Sequence, residues 1–546
     1  MPFKEFTLDD EQYNIVTPNK SFEPAYRNRL SKYLLDKYGN EINNESVIDA
    51  LLDCHEFFIS EFIQAMDSVN DMMFILFVFN LHEQTAKLSY LRSVDGIEIP
   101  IERTYFAEYR RVLKMILQQS CSIKITQNIH PSDEWMASSL EKIEELIFLG
   151  SFALNIANAI SEQKLTGASI QITFQNGLYV FGHPPDWEGF FGLFYEDFDG
   201  QIDGSIHDGT LQVRFDEVMK KEFQLDLTEL GFILASVAER LLNLEPPRFC
   251  MVSELIEVFR EESSSQHVEA FIYGLTLTKT NVASLKSGIL SPYNGNRLIH
   301  RPLLRIDIDN IPCLLFSQFT FLESINTLFQ NQITHGKLPK EWQGIPPIKD
   351  IWKDLVVYHK DILENPVEQL LKDKQIPHER NVKTLKSNNV HENLSINQTP
   401  GEIDFIFIHG TIIYLADCKN LTKRYEMHGY YQDASKFQPY INKMAEKVAF
   451  MKNNLGKLQT HLRLITKNDM LDINSFEIKG IFVVNTPTLY SVNASFRIYS
   501  YHSFELLIDG YDVFEDTISV PDAEETQISW PYTDNYKKYL KAKLSN

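Results

Sequence analysis

Two aspartates and a lysine lie close together between residues 401 and 420, and their types suit metal-assisted hydrolysis. The segment reads GEIDFIFIHGTIIYLADCKN, with Asp404 near its beginning and Asp417 and Lys419 near its end. Carboxylate oxygens are the ligands that hard divalent cations such as Mg²⁺ prefer. A nearby lysine can orient a water molecule or help to deprotonate it, and can offset charge that grows on a phosphate. The three residues therefore form a candidate hydrolytic centre.

The apolar residues around these charges predict a β-hairpin. If its two-residue loop is residues 410–411, Asp404 lies directly opposite Asp417, and if the loop is residues 409–410, the two aspartates are diagonal neighbours. Because side chains alternate between the faces of a strand, either register places both aspartates on one face, and Lys419 shares it. A three-residue loop would weaken this prediction. Charges at the ends of apolar strands are costly unless they are paired or bind an ion, so their convergence indicates a site.

The pattern around the hairpin predicts an α/β domain. We predict, in order, a helix over residues 366–372, a strand over residues 376–382, the two hairpin strands, a helix over residues 440–451 and a last strand over residues 478–487. Strands interleaved with helices are typical of layered α/β folds. The loop of residues 383–400 is long and rich in Asn and Ser, which leaves the pairing of the first strand open.

This arrangement resembles the PD-(D/E)XK nuclease superfamily over residues 350–490. The resemblance is carried by Asp404 on one strand, Asp417-Cys418-Lys419 on the next, and the order helix, strand, strand, strand, helix, strand. It implies a restriction-endonuclease-like domain, with a mixed central sheet flanked by helices, and phosphodiester hydrolysis that depends on Mg²⁺ or Mn²⁺. It also implies that both aspartates and the main-chain carbonyl of Cys418 bind the metal, and that Lys419 positions the attacking water.

Glu368 has two interpretations. It matches the acidic residue that many members of this superfamily carry on the helix before the first strand, which would make it catalytic. Alternatively, Asn365, Pro366 and Glu368 form a good helix start, with Asn as the N-cap, Pro at the first position and Glu at the third. The sequence leaves both interpretations open.

The helix after the third strand often supplies a further polar residue in this superfamily. Gln438 and Lys443 are the candidates, and the sequence does not choose between them. The alternative is that Gln438, Lys443 and Lys447 belong to a solvated helix face.

A chain of 546 residues predicts two to four domains. Apolar residues at three- and four-residue spacing predict a helical N-terminal region over residues 1–165. A hairpin signal at residues 176–177 begins a mixed helical and β region over residues 166–345, which we expect to serve recognition, assembly or control. The nuclease-like domain follows at residues 350–490, and residues 491–546 form a C-terminal extension.

The charge and the cysteine content of the chain limit which partners and which cellular compartment we expect. The net charge is −22, yet residues 351–490 carry 18 basic and 16 acidic side chains, which mildly favours an anionic ligand for that segment alone. Five scattered cysteines without a CxxC pair argue against a disulfide framework or a zinc site. No secretory signal and no apolar run of membrane-spanning length is evident. We expect a cytoplasmic protein with no membrane partner.

These observations predict a metal-dependent endonuclease that acts on DNA, with the acidic N-terminal module regulating or targeting it. A large N-terminal module on such a domain resembles bacterial defence nucleases that act on foreign DNA. A homo-oligomer and a protein partner bound through the N-terminal region remain open. The alternatives are a catalytically silent nuclease-like fold used for binding or scaffolding, and a nuclease directed at RNA or at structures such as junctions.

Overall fold

The structure is a computed structural model, and part of the chain is described. The described residues are 3–8, 11–16, 21–43, 45–127, 132–166, 170–182, 209–226, 229, 248–290, 295–331, 333, 338–421, 424, 427–488 and 495–510. Residues 511–546 of the predicted C-terminal extension lie outside this set.

The chain forms two compact units. The first comprises Met1–Ile160, Ile172–Phe181 and Ile206–Val356, and the second comprises Ser161–Gln171, Gly182–Ser205 and Val357–Asn546. The longest segment of the second unit therefore begins close to the predicted start of the nuclease-like domain at residue 350 and continues past residue 490, and the unit also contains two earlier segments that the prediction placed elsewhere.

The N-terminal region is helical, as predicted. After the strands β1 (Phe3–Leu8) and β2 (Glu11–Val16) come the helices α1 (Glu23–Tyr38), α2 (Val47–Asp67), α3 (Met72–Asp95), α4 (Arg103–Ser120) and α5 (Asp133–Thr166). Their apolar faces are buried at helical spacing, as with Leu51, Phe58 and Phe62 of α2. The Asp71 carboxylate begins α3 by accepting a hydrogen bond from the Phe74 N–H at 2.8 Å.

Among the described helices, Asp133–Leu165 is long and apolar enough to cross a membrane by length and composition. Of its most apolar window, 67% is buried, which is typical of a core helix. The predicted hairpin follows as β3 (Gln171–Gln175) and β4 (Leu178–Gly182). Asn176 and Gly177 both have positive φ, at 52° and 82°, which explains why this pair signals the turn.

Helices and a second sheet make up the rest of the first unit. They are α6 (Gly209–Phe223), β5 (Arg248–Met251), α7 (Val252–Glu262), α8 (Val268–Gly274), β6 (Thr276–Leu277), α9 (Leu285–Leu290), β7 (Leu303–Ile308), β8 (Ile311–Phe316) and α10 (Gln318–Asn331). The strands are ordered β5-β8-β7-β6. Trp342 anchors the core, since its ring stacks on Phe271 at 4.9 Å and its Nε1 donates to the Phe271 carbonyl at 3.0 Å.

The second unit contains a five-stranded mixed sheet between helices. Its elements are the part of α11 (Pro346–Asp373) from Val357 onwards, β9 (His378–Val382), β10 (Thr384–Leu385), β11 (Leu394–Ser395), β12 (Ile403–His409), β13 (Ile412–Lys419), α12 (Met427–Asn453), α13 (Leu455–Thr466), β14 (Glu477–Val484), β15 (Arg497–Ser500) and α14 (Tyr501–Ile508). The strand order is β15-β14-β13-β12-β9. β12 is antiparallel to β9 and β13, whereas β14 is parallel to β13 and β15.

Each face of this sheet carries its own apolar core. Phe405 and Phe407 pack on one face with residues of α11 and α14. Ile406 and Leu415 pack on the other face with residues of α12 and α13. Gly480 of β14 allows α12 to approach closely, because a Cβ at this position would lie 2.6 Å from the Met444 Cγ.

Two predictions about the elements of this unit were wrong. The helix predicted to start at Pro366 is the end of α11, which begins at Pro346, because Leu363 and Val367 continue one buried stripe across the proline. The strand predicted to be the last is followed by β15 and α14.

Candidate functional site

The hairpin of β12 and β13 positions the predicted charges. The described register pairs Phe405 with Ala416 and His409 with Ile412, so residues 410–411 form the loop. Continuing this register by one residue places Asp404 opposite Asp417, which confirms the first of the two predicted registers. Gly410 has a φ of +60°, as a tight two-residue loop requires.

Asp404 is buried and held by the neighbouring strand. It is 8% exposed, and its Oδ2 accepts a hydrogen bond from the Cys418 N–H at 2.8 Å. Burial raises the pKa of Asp404, and the nearby Asp417 raises it further, while Lys419 acts in the opposite direction. The fold therefore holds two carboxylates close enough to disfavour ionisation of one of them.

Asp417 is 5% exposed and has a cation on each side. The Nζ of Lys447, on α12, donates to its Oδ1 at 2.8 Å and to its Oδ2 at 2.7 Å. Lys419 Nζ lies 3.7 Å from Asp417 Oδ2. Sequence reasoning assigned Lys447 to a solvated helix face, which is wrong, because this side chain is buried.

Lys419 lies between the two carboxylates. Its Nζ is 3.8 Å from Asp404 Oδ2 in addition to its contact with Asp417, and it donates to the Cys418 carbonyl at 3.0 Å. The same Nζ lies 5.0 Å from the centre of the Tyr440 ring. Burial alone would lower the pKa of Lys419, but Asp417 and Asp404 together outweigh burial and raise it. Lys419 is thus held as an ammonium ion.

The thiol of Cys418 points away from these charges. It packs beside the core on the α11 face of the sheet, and burial raises its pKa well above the usual value. A thiol in this state is a poor nucleophile. The chemically relevant group of Cys418 is its main-chain carbonyl, the third oxygen of the predicted ligand set.

The two carboxylates, two ammonium groups and one carbonyl form a compact cluster at the ends of β12 and β13. Comparisons of the chain with protein-family models, curated proteins and solved structures found no match. Functional conclusions therefore depend on the chemistry of this cluster.

Glu368 is engaged in ion pairs elsewhere in the unit. Its carboxylate pairs with Arg380 of β9 at 3.1 Å and with Lys372 at 2.7 Å. The hydrogen bond from Lys372 lowers its pKa, burial opposes this, and the bond from Arg380 lowers it further. The capping interpretation was wrong, because Glu368 lies within α11, more than twenty residues after the helix begins. A catalytic role for Glu368 stays a prediction.

The two helix candidates for a supporting residue are exposed. Gln438 donates to Asn442 at 3.3 Å on the surface of α12, and the Lys443 side chain is also exposed. Among the described side chains of α12, Tyr440 and Lys447 reach the site. Lys447 follows the buried Met444 by three residues and therefore lies on the same face of the helix. This position on an apolar stripe was the signal in the sequence that could have predicted the burial of Lys447.

The oxygen atoms of the cluster suit a hard divalent cation. Within the described ranges, no group of three or more His, Cys, Asp and Glu side chains is arranged to hold a metal. The predicted metal ligands are not such a group of three side chains, because they are two carboxylates and one main-chain carbonyl. The Oδ2 atoms of Asp404 and Asp417 both lie within 4 Å of the Lys419 ammonium. The two carboxylates therefore already converge on a position that a cation occupies. The residues present therefore fit a Mg²⁺ or Mn²⁺ ion.

Proposed function

We propose that this protein is a metal-dependent endonuclease that hydrolyses phosphodiester bonds in DNA. The observation that carries the proposal is the convergence of Asp404 and Asp417, from adjacent strands, on one lysine ammonium at 3.8 and 3.7 Å. Burial and the neighbouring Asp417 raise the pKa of Asp404, and groups with perturbed pKa values are concentrated at functional sites, which favours a functional reason for the arrangement.

The order and packing of the elements support a restriction-endonuclease-like domain of the PD-(D/E)XK type. The helix α11, the strands β9, β12 and β13, the helix α12 and the strand β14 occur in the order that the resemblance implies, with the short strands β10 and β11 and the helix α13 inserted between them. Helices cover both faces of the mixed sheet, and the charged residues lie where the hairpin strands end. This support comes from architecture and residue types together.

The side chains have separable roles in the proposed reaction. Asp404 and Asp417 would hold the metal together with the Cys418 carbonyl. When bound, Mg²⁺ would supply the Lewis acidity that activates water and stabilises charge on the phosphate. Lys419 would bind and orient the attacking water and would offset negative charge in the transition state. The Cys418 N–H fixes the orientation of Asp404 before substrate arrives.

The proposal extends to the rest of the chain. The acidic, mostly helical N-terminal module would regulate or target the nuclease, through a protein partner or a homo-oligomer, because its charge disfavours indiscriminate DNA binding. We place the protein in the cytoplasm, without a membrane partner, in defence against foreign DNA.

A second candidate is a catalytically silent protein with the same fold. The observation that favours it is the bidentate contact of Lys447 with Asp417. Two ammonium groups balance two carboxylates, so the cluster is electrically neutral without a metal. A pure binding protein could retain such a balanced cluster, and only an activity measurement distinguishes the two functions.

The deciding experiment is a cleavage assay on the purified full-length protein. Plasmid, linear duplex, single-stranded DNA and RNA are each incubated with Mg²⁺, with Mn²⁺ and with EDTA, beside the variants Lys419→Ala and Asp417→Ala. We expect metal-dependent cutting of DNA that both variants lose while keeping their circular dichroism spectra. Cutting of RNA alone would favour the alternative of a nuclease directed at RNA.

Two results would refute the assignment. Full activity in either variant would remove that residue from the reaction. Absence of cutting under every condition, together with absence of Mn²⁺ binding in calorimetry, would favour the silent fold.

A further inference from the structure

The ammonium of Lys447 occupies both oxygens of a proposed metal ligand. Its hydrogen bonds to Asp417 measure 2.8 and 2.7 Å. A carboxylate offers about four acceptor positions, so this contact uses about half of them. A divalent cation that approaches Asp417 therefore meets a ligand that already serves another cation.

The other two proposed ligands have weaker contact with charge, since the Lys419 ammonium lies 3.8 Å from Asp404 Oδ2 and donates one hydrogen bond to the Cys418 carbonyl. Asp404 Oδ2 accepts its hydrogen bond from the uncharged Cys418 N–H, and the Cys418 carbonyl accepts from Lys419. Lys419 lies more than 3.5 Å from either carboxylate, and its side chain is 20% exposed. Asp417 is thus the ligand whose two oxygens are both bound tightly by a buried charge.

Lys447 is held in this position by the packing of α12 on the sheet. Its side chain is 6% exposed. Met444 and Val448, on either side of it along the helix, pack so closely on the sheet that a Cβ added at Gly480 would lie 2.6 Å from Met444 and 2.9 Å from Val448. Moving α12 away from the sheet would lose this packing, so the packing keeps the charge of Lys447 near Asp417.

We propose that Lys447 is an internal counter-cation that competes with the divalent metal for Asp417. This inference rests on the proposed metal-dependent function. Metal binding would exchange the ammonium for the metal on the Asp417 oxygens, while the remaining positive charge would repel the ion. Lys447 would then set the metal concentration at which the site loads, as a positioning residue that contacts neither substrate nor the attacking water.

The test is direct metal binding to the full-length protein without nucleic acid. Wild type, Lys447→Met and Lys447→Gln are titrated with Mn²⁺ in calorimetry, and free Mn²⁺ is followed by electron paramagnetic resonance. We expect both variants to bind Mn²⁺ about tenfold more tightly, because one nearby positive charge is removed. Lys447→Gln keeps a hydrogen-bond donor for Asp417, and thermal unfolding checks that each variant is folded.

Lys443→Met is the matched control, since it removes the same charge from an exposed position one turn earlier on α12. We expect it to change Mn²⁺ affinity by less than about twofold. Equal tightening in this control, or unchanged or weaker Mn²⁺ binding in folded Lys447 variants, would overturn the inference and leave the nuclease proposal standing. Failure of wild type and every variant to bind Mn²⁺ would refute the metal-dependent function itself, and this inference with it.

Discussion

Each of the two units contains a cluster of buried charge, and the clusters differ in which charges face each other. In the first unit, the single carboxylate of Glu323 on α10 accepts hydrogen bonds from Arg110 and Lys114 of α4. In the second unit, Asp404 and Asp417 face each other across a hairpin. Glu323 has only bases as these partners, whereas Asp404 has the acid Asp417 beside it as well as the base Lys419, and burial together with Asp417 raises its pKa. Facing carboxylates are therefore the better indicator of a functional site.

Removing one acid from each cluster should have opposite effects on stability, and this is the largest difference that we expect. Glu323→Ala leaves Arg110 and Lys114 uncompensated and should cost roughly 3 kcal/mol of unfolding free energy. Asp404→Asn relieves the repulsion of facing acids and should stabilise the metal-free protein by about 1 kcal/mol. Hydrogen exchange read separately for each unit, with urea unfolding, measures both changes.

Glu269→Ala is the control for the first variant, because Glu269 pairs with Arg260 on the surface of the same unit. Its cost should stay below about 1 kcal/mol. A destabilised Asp404→Asn protein in metal-free buffer would show that the hairpin acids are structural, and the comparison would fail.

The pH dependence of stability sharpens the same contrast. Burial alone would raise the pKa of Glu323, but Lys114 and Arg110 lower it below its ordinary value of 4.5. Its stabilising contribution is therefore complete above pH 4.5 and is lost as the pH falls below that value. Burial raises the pKa of Asp404 above 3.8, so its destabilising contribution is absent below pH 3.8 and grows as the pH rises through the folded-state pKa.

Urea unfolding of wild type, Glu323→Gln and Asp404→Asn between pH 3 and pH 7 tests these signs. On acidification, we expect wild type to lose part of its advantage over Glu323→Gln below pH 4.5, and to lose its deficit relative to Asp404→Asn. If wild type were less stable than Asp404→Asn by the same amount at every pH in this range, the result would contradict the raised pKa of Asp404.

The hairpin site could be predicted from sequence because its geometry is local. Two residues form the loop, strand alternation sets the face, and Asp404, Asp417 and Lys419 follow from these alone. The contribution of Lys447 could not be predicted in this way, because it depends on how α12 packs against the sheet. The same limit applies to Glu368, whose partner Arg380 comes from a strand after the helix.

The coarse fold was predictable for a related reason. The period of apolar residues identified the helices of the N-terminal region, and the Asn176-Gly177 pair identified the turn, as the structure confirms. The start of α11 was missed because Pro366 is a strong local signal for a helix beginning. Burial of Leu363 before the proline and Val367 after it outweighs that signal, and local rules do not include such packing.

The smallest expected effect concerns Glu368, and it tests whether an acid with two basic partners behaves like Glu323 or like the hairpin aspartates. Glu368 is partly exposed and pairs with Arg380 and Lys372, so Glu368→Gln should change stability by less than about 1 kcal/mol and cleavage by less than about twofold. Glu364→Gln is the matched comparison, because the buried Glu364 accepts from the same Arg380 at 3.0 Å and should cost roughly 1–3 kcal/mol. Plasmid cleavage and urea unfolding measure both variants. If Glu368→Gln instead lost cleavage about a hundredfold while its stability stayed unchanged, Glu368 would act in the reaction, as the resemblance implies.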